Sequence, residues 1–271
     1  MDAAAPVSVV IPCFRCAATI GRAVDSIAAQ TLRPAEVILV DDGSGDGTLE
    51  RLRALSAFHR SGWIKVVSLP QNRGAADARN AGWDAATQPY IAFLDADDAW
   101  HPRKIELQLG YMREHPEVAL SGHAYEVVRT PEIEFGECRE AIPLRLTRLS
   151  LLLSNRLITP SVILKRDLPH RFRPGRRYVD DHLLWLQIQG SGSPVVMLSA
   201  PLARVYKPMY GAGGLSSRLW AMEKAELENY WILRREGGIG LAAALALCAY
   251  SLAKYARRVL VVALRRTPRI E

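Results

Sequence analysis

Five mostly apolar residues, Tyr90-Ile-Ala-Phe-Leu94, run directly into Asp95-Ala-Asp97-Asp98. No other stretch constrains the chain as much. A short, unbroken apolar run fits a strand buried on both faces, as a parallel sheet requires. The carboxylates then fall where the strand leaves the core, and in open α/β sheets that edge is where ligands bind. Three carboxylates within four positions repel one another unless a cation or hydrogen-bond donors stand close. The residues alone leave two readings. One is a divalent-metal site that holds a phosphorylated ligand. The other is a solvated acidic turn in which Asp98 caps the next helix.

The first half of the chain repeats a strand-then-helix order. Val7-Ser-Val-Val-Ile11 is β-rich, apolar and stopped by Pro12. Thr19 can cap a helix with Ile20, Val24, Ile27 and Thr31 on one face. Glu36-Val-Ile-Leu-Val40 is a second buried strand and leads into Asp41-Asp42-Gly-Ser-Gly-Asp-Gly47. This order predicts parallel strands joined by right-handed crossovers. A helix begun at Asp46 or Thr48 turns Leu49, Leu52, Leu55 and Phe58 inward, and residues 63–67 form a third strand. Residues 71–82 lead through glycine into a helix of small residues that can sit close to a sheet or a ligand. Pro102 fits the first turn of a helix carrying Ile105, Leu109 and Met112, which stops before Pro116.

The second half is less regular. Residues 118–120 read as a short strand, 147–153 as a helix and 161–164 as a strand. A helix begins at Asp180 and Asp181 and turns Leu184, Trp185 and Ile188 inward. Residues 194–198 and 202–206 read as two final strands. Gly211-Ala-Gly-Gly214 is either a hinged lid or an ordinary loop. Ser216 or Ser217 then caps a long helix that runs to about Arg235.

The 271 residues suffice for one large α/β domain with an appendage. The net charge of +7 is uneven: residues 254–271 carry six basic groups against Glu271, and the remainder carries 29 basic and 27 acidic groups. The tail therefore seeks an anionic partner, and the body offers no nucleic-acid-binding face. Residues 237–253 are uncharged but short and alanine-rich for a membrane span. Leu241, Leu245, Cys248, Leu252, Tyr255, Val259 and Val262 recur at spacings of four and three, with Lys254, Arg257 and Arg258 placed opposite. Such a helix either lies in an anionic membrane interface or packs on its own domain or a second subunit in a homo-oligomer. The N-terminus shows no secretory signal, so a cytoplasmic location is expected, with reduced thiols at Cys13, Cys16, Cys138 and Cys248. Cys13-x-x-Cys16 lacks a second pair at zinc-like spacing, which favours loop or core thiols over a metal or redox role. His101 reads as a helix-start residue, His182 as exposed, and His123 has no evident partner.

Five stretches in register carry a more specific signal. They are Val7–Ile11 with Pro12, Val40-Asp41-Asp42-Gly-Ser-Gly-Asp46, Asn72-Arg-Gly74 with Ala78-Arg79-Asn80, Phe93-Leu-Asp-Ala-Asp-Asp98, and Asp180-Asp181-x-x-x-Trp185. Together they resemble the family 2 glycosyltransferases of the GT-A fold, over roughly residues 6–210. The resemblance implies a Rossmann-like, mostly parallel central sheet flanked by helices, with a C-terminal helical extension. It divides the chain into a nucleotide-sugar-binding and catalytic domain (1–210), a lid loop and helix (211–236), and a basic amphipathic helix (237–271). It also implies a metal-dependent, inverting transfer of one sugar from a nucleotide-diphosphate sugar.

Carried onto this sequence, the resemblance puts Pro12, Phe14 and Asp42 at the nucleobase and Arg73, Gly74, Arg79 and Asp95 along the nucleotide sugar. Asp95, Asp97 and Asp98 become the candidates for Mg²⁺ or Mn²⁺, since these hard cations prefer oxygen ligands. Asp181 becomes the candidate base, with Asp180 raising its pKa; as plain sequence, the pair also suits a helix N-terminus. A UDP-sugar is the expected donor. A saccharide or lipid-linked saccharide is the expected acceptor, met at the inner face of the cytoplasmic membrane during envelope or surface polysaccharide assembly. Two departures matter. Asp180 stands where the family more often has Glu, and the Gln-x-x-Arg-Trp motif of processive synthases is missing. A competing reading is a protein that keeps the fold but only binds nucleotide sugars or scaffolds assembly. A nucleotidyltransferase fits worse, because Cys13-Phe-Arg-Cys16 makes a poor phosphate loop.

Overall fold

A computed structural model describes residues 4–59, 62–128, 135–206 and 218–266. The first strand, β1 (Ala5–Cys13), is almost wholly buried. It pairs in parallel with β2 (Pro34–Asp41) on one side and β4 (Tyr90–Phe93) on the other. β3 (Ile64–Ser68) adds to β2 in parallel. The register opposes Cys13 to Asp41 and Val10 to Phe93. Because these strands run the same way, the residues that follow them emerge at one edge.

Beyond β4 the sheet becomes mixed. Its order is β3-β2-β1-β4-β8-β6-β9-β5, with β5 at Ala99–Trp100, β6 at Leu120–Val127, β8 at Ile163–Lys165 and β9 at Val195–Val205. β8 is antiparallel to both neighbours, and β9 runs parallel to β6. β7 (Pro143–Leu146) pairs with β9 off this path. The two expected final strands are one strand, β9. Its pairing with β6 jumps from His123↔Leu198 to Ala124↔Pro201, so a bulge absorbs Pro201.

Helices cover both faces. α1 (Ile20–Ala28), α2 (Thr48–Phe58) and α4 (Lys104–Glu114) bury Ile20, Val24, Leu52, Leu55, Ile105 and Met112 against one face. α3 (Ala75–Ala85), α5 (Arg148–Leu153) and α6 (Asp180–Gly190) cover the other. An aromatic chain from Trp83 to Phe93, Phe172 and Trp185 ties α3, β4 and α6 together, with ring centroids 5.7, 5.2 and 6.1 Å apart. α2 departs from its expected face: Phe58 is 85% exposed and Leu49 only half-buried. The outer layer is α7 (Leu219–Arg235) and α8 (Leu241–Arg266), joined across Gly237–Gly240.

α8 also corrects the face assignment made from sequence. Ala244, Leu247 and Ser251 are buried, and Lys254, Tyr255 and Arg258 are half-buried on the same side. Leu241, Leu245, Leu252 and Val259 are exposed. The cationic groups Lys254 and Arg258 thus point toward the protein, while most of the apolar stripe faces out. The Val262 side chain, the proposed lid at 211–214 and the proposed caps Ser216 and Ser217 lie outside the described residues.

Candidate active site

The end of β4 delivers the acidic cluster to the sheet edge. Asp98 is buried; its amide donates to the Asp95 carbonyl, and its Oδ1 accepts from the Tyr206 amide at the end of β9. The cluster is therefore a closed turn tied to the far half of the sheet. The Asp97 carbonyl accepts from Arg22, whose guanidinium lies 3.7 Å from the centroid of the Tyr206 ring. Asp95 pairs at 2.9 Å with the buried guanidinium of Arg79 on α3. Arg79 also lies 3.5 Å from Asp180, so one cation joins the strand end to the start of α6.

α6 begins under strain. Val179, just before it, has φ +52°, a left-handed conformation that a β-branched residue seldom adopts. Asn229 on α7 donates to its carbonyl at 2.9 Å. Asp180 and Asp181 follow as the first two helical residues. Burial, with Asp180 beside it, pushes the Asp181 carboxyl up to about 6. Burial also raises Asp180, against the pull of Arg79. Asn155 and Thr159 approach the Asp181 oxygens, each at 3.4 Å, and the His182 amide donates to Oδ1 at 2.7 Å.

His182 is fully buried, in contrast to the exposed position expected for it. Its Nε2 faces the Leu151 carbonyl at 2.7 Å and its Nδ1 faces Glu226 at 3.1 Å. With an acceptor at each nitrogen, the ring is best satisfied as imidazolium. Burial opposes that charge, but Glu226 and the carbonyl outweigh it and raise the pKa. His101 is buried against Phe135 and accepts from the Arg103 amide through Nδ1. His123 is buried too; desolvation pushes it down to about 3, and its Nδ1 meets the Ala124 carbonyl.

One cleft of about 490 Å³ gathers Arg79, Asp95, Asp97, Asp98, Asp180 and Asp181. Pro12, Phe14, Asp42, Arg73 and Gly74 do not line it. They form the adjoining strand-end shelf, which meets the cleft at Ala75. Phe14 is exposed, and Asp42 is buried with its two oxygens accepting from the Arg73 and Gly74 amides at 2.8 Å each. Gly43 makes that contact feasible: it has φ +62°, and a Cβ there would come within 2.5 Å of the Gln71 backbone.

The residues fit a hard divalent cation in part. The cluster offers oxygen donors only, and among the described residues no group of three or more His, Cys, Asp or Glu side chains is arranged as a complete cage. That suits Mg²⁺ or Mn²⁺, which commonly take one or two carboxylates and complete their shell with phosphates and water. All four cysteines are free, and Cys13 and Cys16 are buried.

Sequence reasoning missed Arg22, Asn155, Thr159 and Glu226, as well as the cleft-lining Lys254 and Arg258. The first four carry no motif. Lys254 and Arg258 were visible only as part of a helical face, and the sign of that face was inverted.

Comparison with known proteins gives this architecture its class. Among solved structures, S. aureus TarS 1-349 in complex with UDP-GlcNAc superposes with a TM-score of 0.69 at 20% identity, covering 91% of this chain and 71% of that one. 

A mannosyltransferase from Pyrobaculum calidifontis in complex with GDP-Man and Mn2+ superposes with a TM-score of 0.65 at 19% identity, covering 99% of this chain and 82% of that one. At such identities the likeness shows the fold, which is GT-A. The family model described as Glycosyl transferase family 2 matches residues 8–164, and the chain belongs to that family. Among curated relatives, the amylovoran biosynthesis glycosyltransferase AmsE of Erwinia amylovora is 32% identical over 220 residues, 76% of each chain. The Escherichia coli UDP-Glc:alpha-D-GlcNAc-diphosphoundecaprenol beta-1,3-glucosyltransferase WfgD is 30% identical over 182 residues, 67% of this chain and 69% of its own.

Proposed function

We propose that this glycosyltransferase moves one sugar, with inversion, from a nucleotide-diphosphate sugar to an acceptor hydroxyl in envelope or surface polysaccharide or glycolipid assembly. One observation carries the reading: a single cleft holds the acidic strand end and a carboxyl raised to about 6. Asp181 is the base. A carboxylate poised near neutrality takes a hydroxyl proton more readily than an ordinary aspartate does. Asn155 and Thr159 orient it, and Arg79 holds Asp95 and Asp180 in place.

Pro12, Phe14 and Asp42 receive the nucleobase. Asp42 also fixes Arg73 and Gly74, which lead into α3 and Arg79. Asp97, with Asp95 and Asp98 near it, would hold Mg²⁺ or Mn²⁺. When bound, that cation would neutralise charge on the departing diphosphate. A UDP-sugar is the favoured donor, supported by the UDP-GlcNAc complex of TarS and by the UDP-Glc in the name of WfgD. The diphosphoundecaprenol acceptor in the WfgD name supports a lipid-linked acceptor. Among the described residues no helix is long and apolar enough to cross a membrane. The outward stripe Leu241, Leu245, Leu252 and Val259 supports contact with the cytoplasmic membrane surface.

Thermal-shift and calorimetric screening of UDP- and GDP-sugars with Mn²⁺ or Mg²⁺ tests this. Metal-dependent stabilisation by one donor is expected, and it should disappear in Asp97→Ala. No such stabilisation by any nucleotide sugar would contradict the reading. Stabilisation without turnover on any acceptor would favour a binding-only protein.

A further inference from the structure

The start of α6 is held by α7, through groups that the donor chemistry above does not use. Glu226 meets His182 Nδ1 at 3.1 Å. The buried Asn229 donates to the Val179 carbonyl at 2.9 Å. The Tyr230 hydroxyl lies 3.0 Å from both Glu226 and the Leu152 carbonyl. Across the ring, His182 Nε2 faces the Leu151 carbonyl at 2.7 Å, so α5 closes the enclosure. His182 is thus a buried ring with an acceptor at each nitrogen, and only an imidazolium satisfies both.

This ring belongs to the residue that follows Asp181, and its backbone amide donates to Asp181 Oδ1 at 2.7 Å. The turn before them is strained at Val179, with φ +52°. Such strain persists only where surrounding contacts hold it, and Asn229 supplies one. Charge matters as well as position. Burial and Asp180 push the Asp181 carboxyl up, while Arg79 and His182 pull it toward the ionised form. Burial opposes the charge on His182, and Glu226, the Leu151 carbonyl and Asp181 favour it. Glu226 in turn faces Lys254 on α8, Arg176 and Glu223.

We infer that Glu226 is a positioning residue for the transfer: through His182 it keeps a buried imidazolium beside Asp181 and fixes the turn that presents Asp181 to the cleft. The inference rests on the reading of Asp181 as the base, and deepens it. Without the Glu226 carboxylate, burial favours the neutral ring. Asp181 then loses a nearby cation while burial and Asp180 remain, so its pKa rises. That shift is opposite in sign to the one produced by removing the Asp180 charge.

The test is Glu226→Gln in the full chain, assayed for transfer across pH and for UDP affinity with Mn²⁺ by calorimetry. The acid limb of kcat/KM should move up by about half a unit or more. kcat should fall about tenfold, with UDP affinity unchanged. Glu226→Asp, which keeps the carboxylate, should bring the limb back toward wild type. In an Asp181→Asn background Glu226→Gln should cost nothing further, because it acts through the base. A limb that stays in place or moves down, or a full additional loss in that background, would overturn the inference. If Glu226→Gln melts below the assay temperature, the wild-type protein decides: the ring ¹⁵N shifts of His182 should report mostly imidazolium at pH 6.5, and a neutral ring there would overturn it. Failure of the base reading is seen separately, as full transfer by Asp181→Asn alone.

Discussion

Asp181 sits where burial and a neighbouring charge hold a carboxyl near 6. A base works only when deprotonated, so transfer should rise with pH through about 6 and then level off. The acid limb of kcat/KM measures this. Asp180→Asn removes the charge that helps raise Asp181 and should move that limb to lower pH. A limb that stays in place would show that Asp180 does not set it. Asp42 has a different vulnerability. The carboxylate is buried, and its two oxygens accept from the Arg73 and Gly74 amides in part-buried bonds. Asp42→Ala should therefore cost about 1–3 kcal/mol of stability by denaturant melt, separately from any loss of nucleotide affinity. The acidic clusters were legible in the sequence because strand ends and carboxylates are adjacent in the chain. Asn155 and Thr159 were not, because their contacts with Asp181 span 26 and 22 positions.

At the level of elements, α3 is fixed by the absence of a side chain. A Cβ at Gly82 would lie 2.3 Å from Val10 on β1. Gly82→Ala should destabilise the fold by about 1–3 kcal/mol, since β1 is central and cannot retreat. α7 docks through polar contacts: His182 to Glu226, Tyr230 Oη to the Leu152 carbonyl, and Asn229 to the Val179 carbonyl. The folded-state pKa of His182 lies above 6.5, so its contribution is full below that value and is lost as pH rises through the folded one. Glu226 is held below 4.5 and contributes above that value, losing its effect as pH falls. The Tm gap between wild type and Glu226→Gln should be widest near about pH 5.5 and narrow toward alkaline pH. A gap independent of pH would remove the ion pair from the account. The parallel strands and their helices were readable from apolar runs and caps. β5 and β7 were not, being two and four residues long and defined by their pairing with β9.

For the whole molecule, the sequence located an amphipathic C-terminal helix but could not say which side met the protein. Periodicity reports that a helix has two faces; packing decides their direction. Here α5 and α7 take the side bearing Lys254, leaving the leucines outside. Leu245→Glu with Leu252→Glu should abolish sedimentation with anionic liposomes without lowering Tm, because both positions are exposed. Undiminished sedimentation would exclude the stripe as the contact. The central claim is that one cleft binds a nucleotide sugar and that Asp181 activates the acceptor within it. Asp181→Asn, assayed in parallel for calorimetric donor binding with Mn²⁺ and for transfer, tests it most directly. Donor affinity should match wild type while transfer falls by about 10²–10⁴-fold. Full transfer by Asp181→Asn would contradict the account.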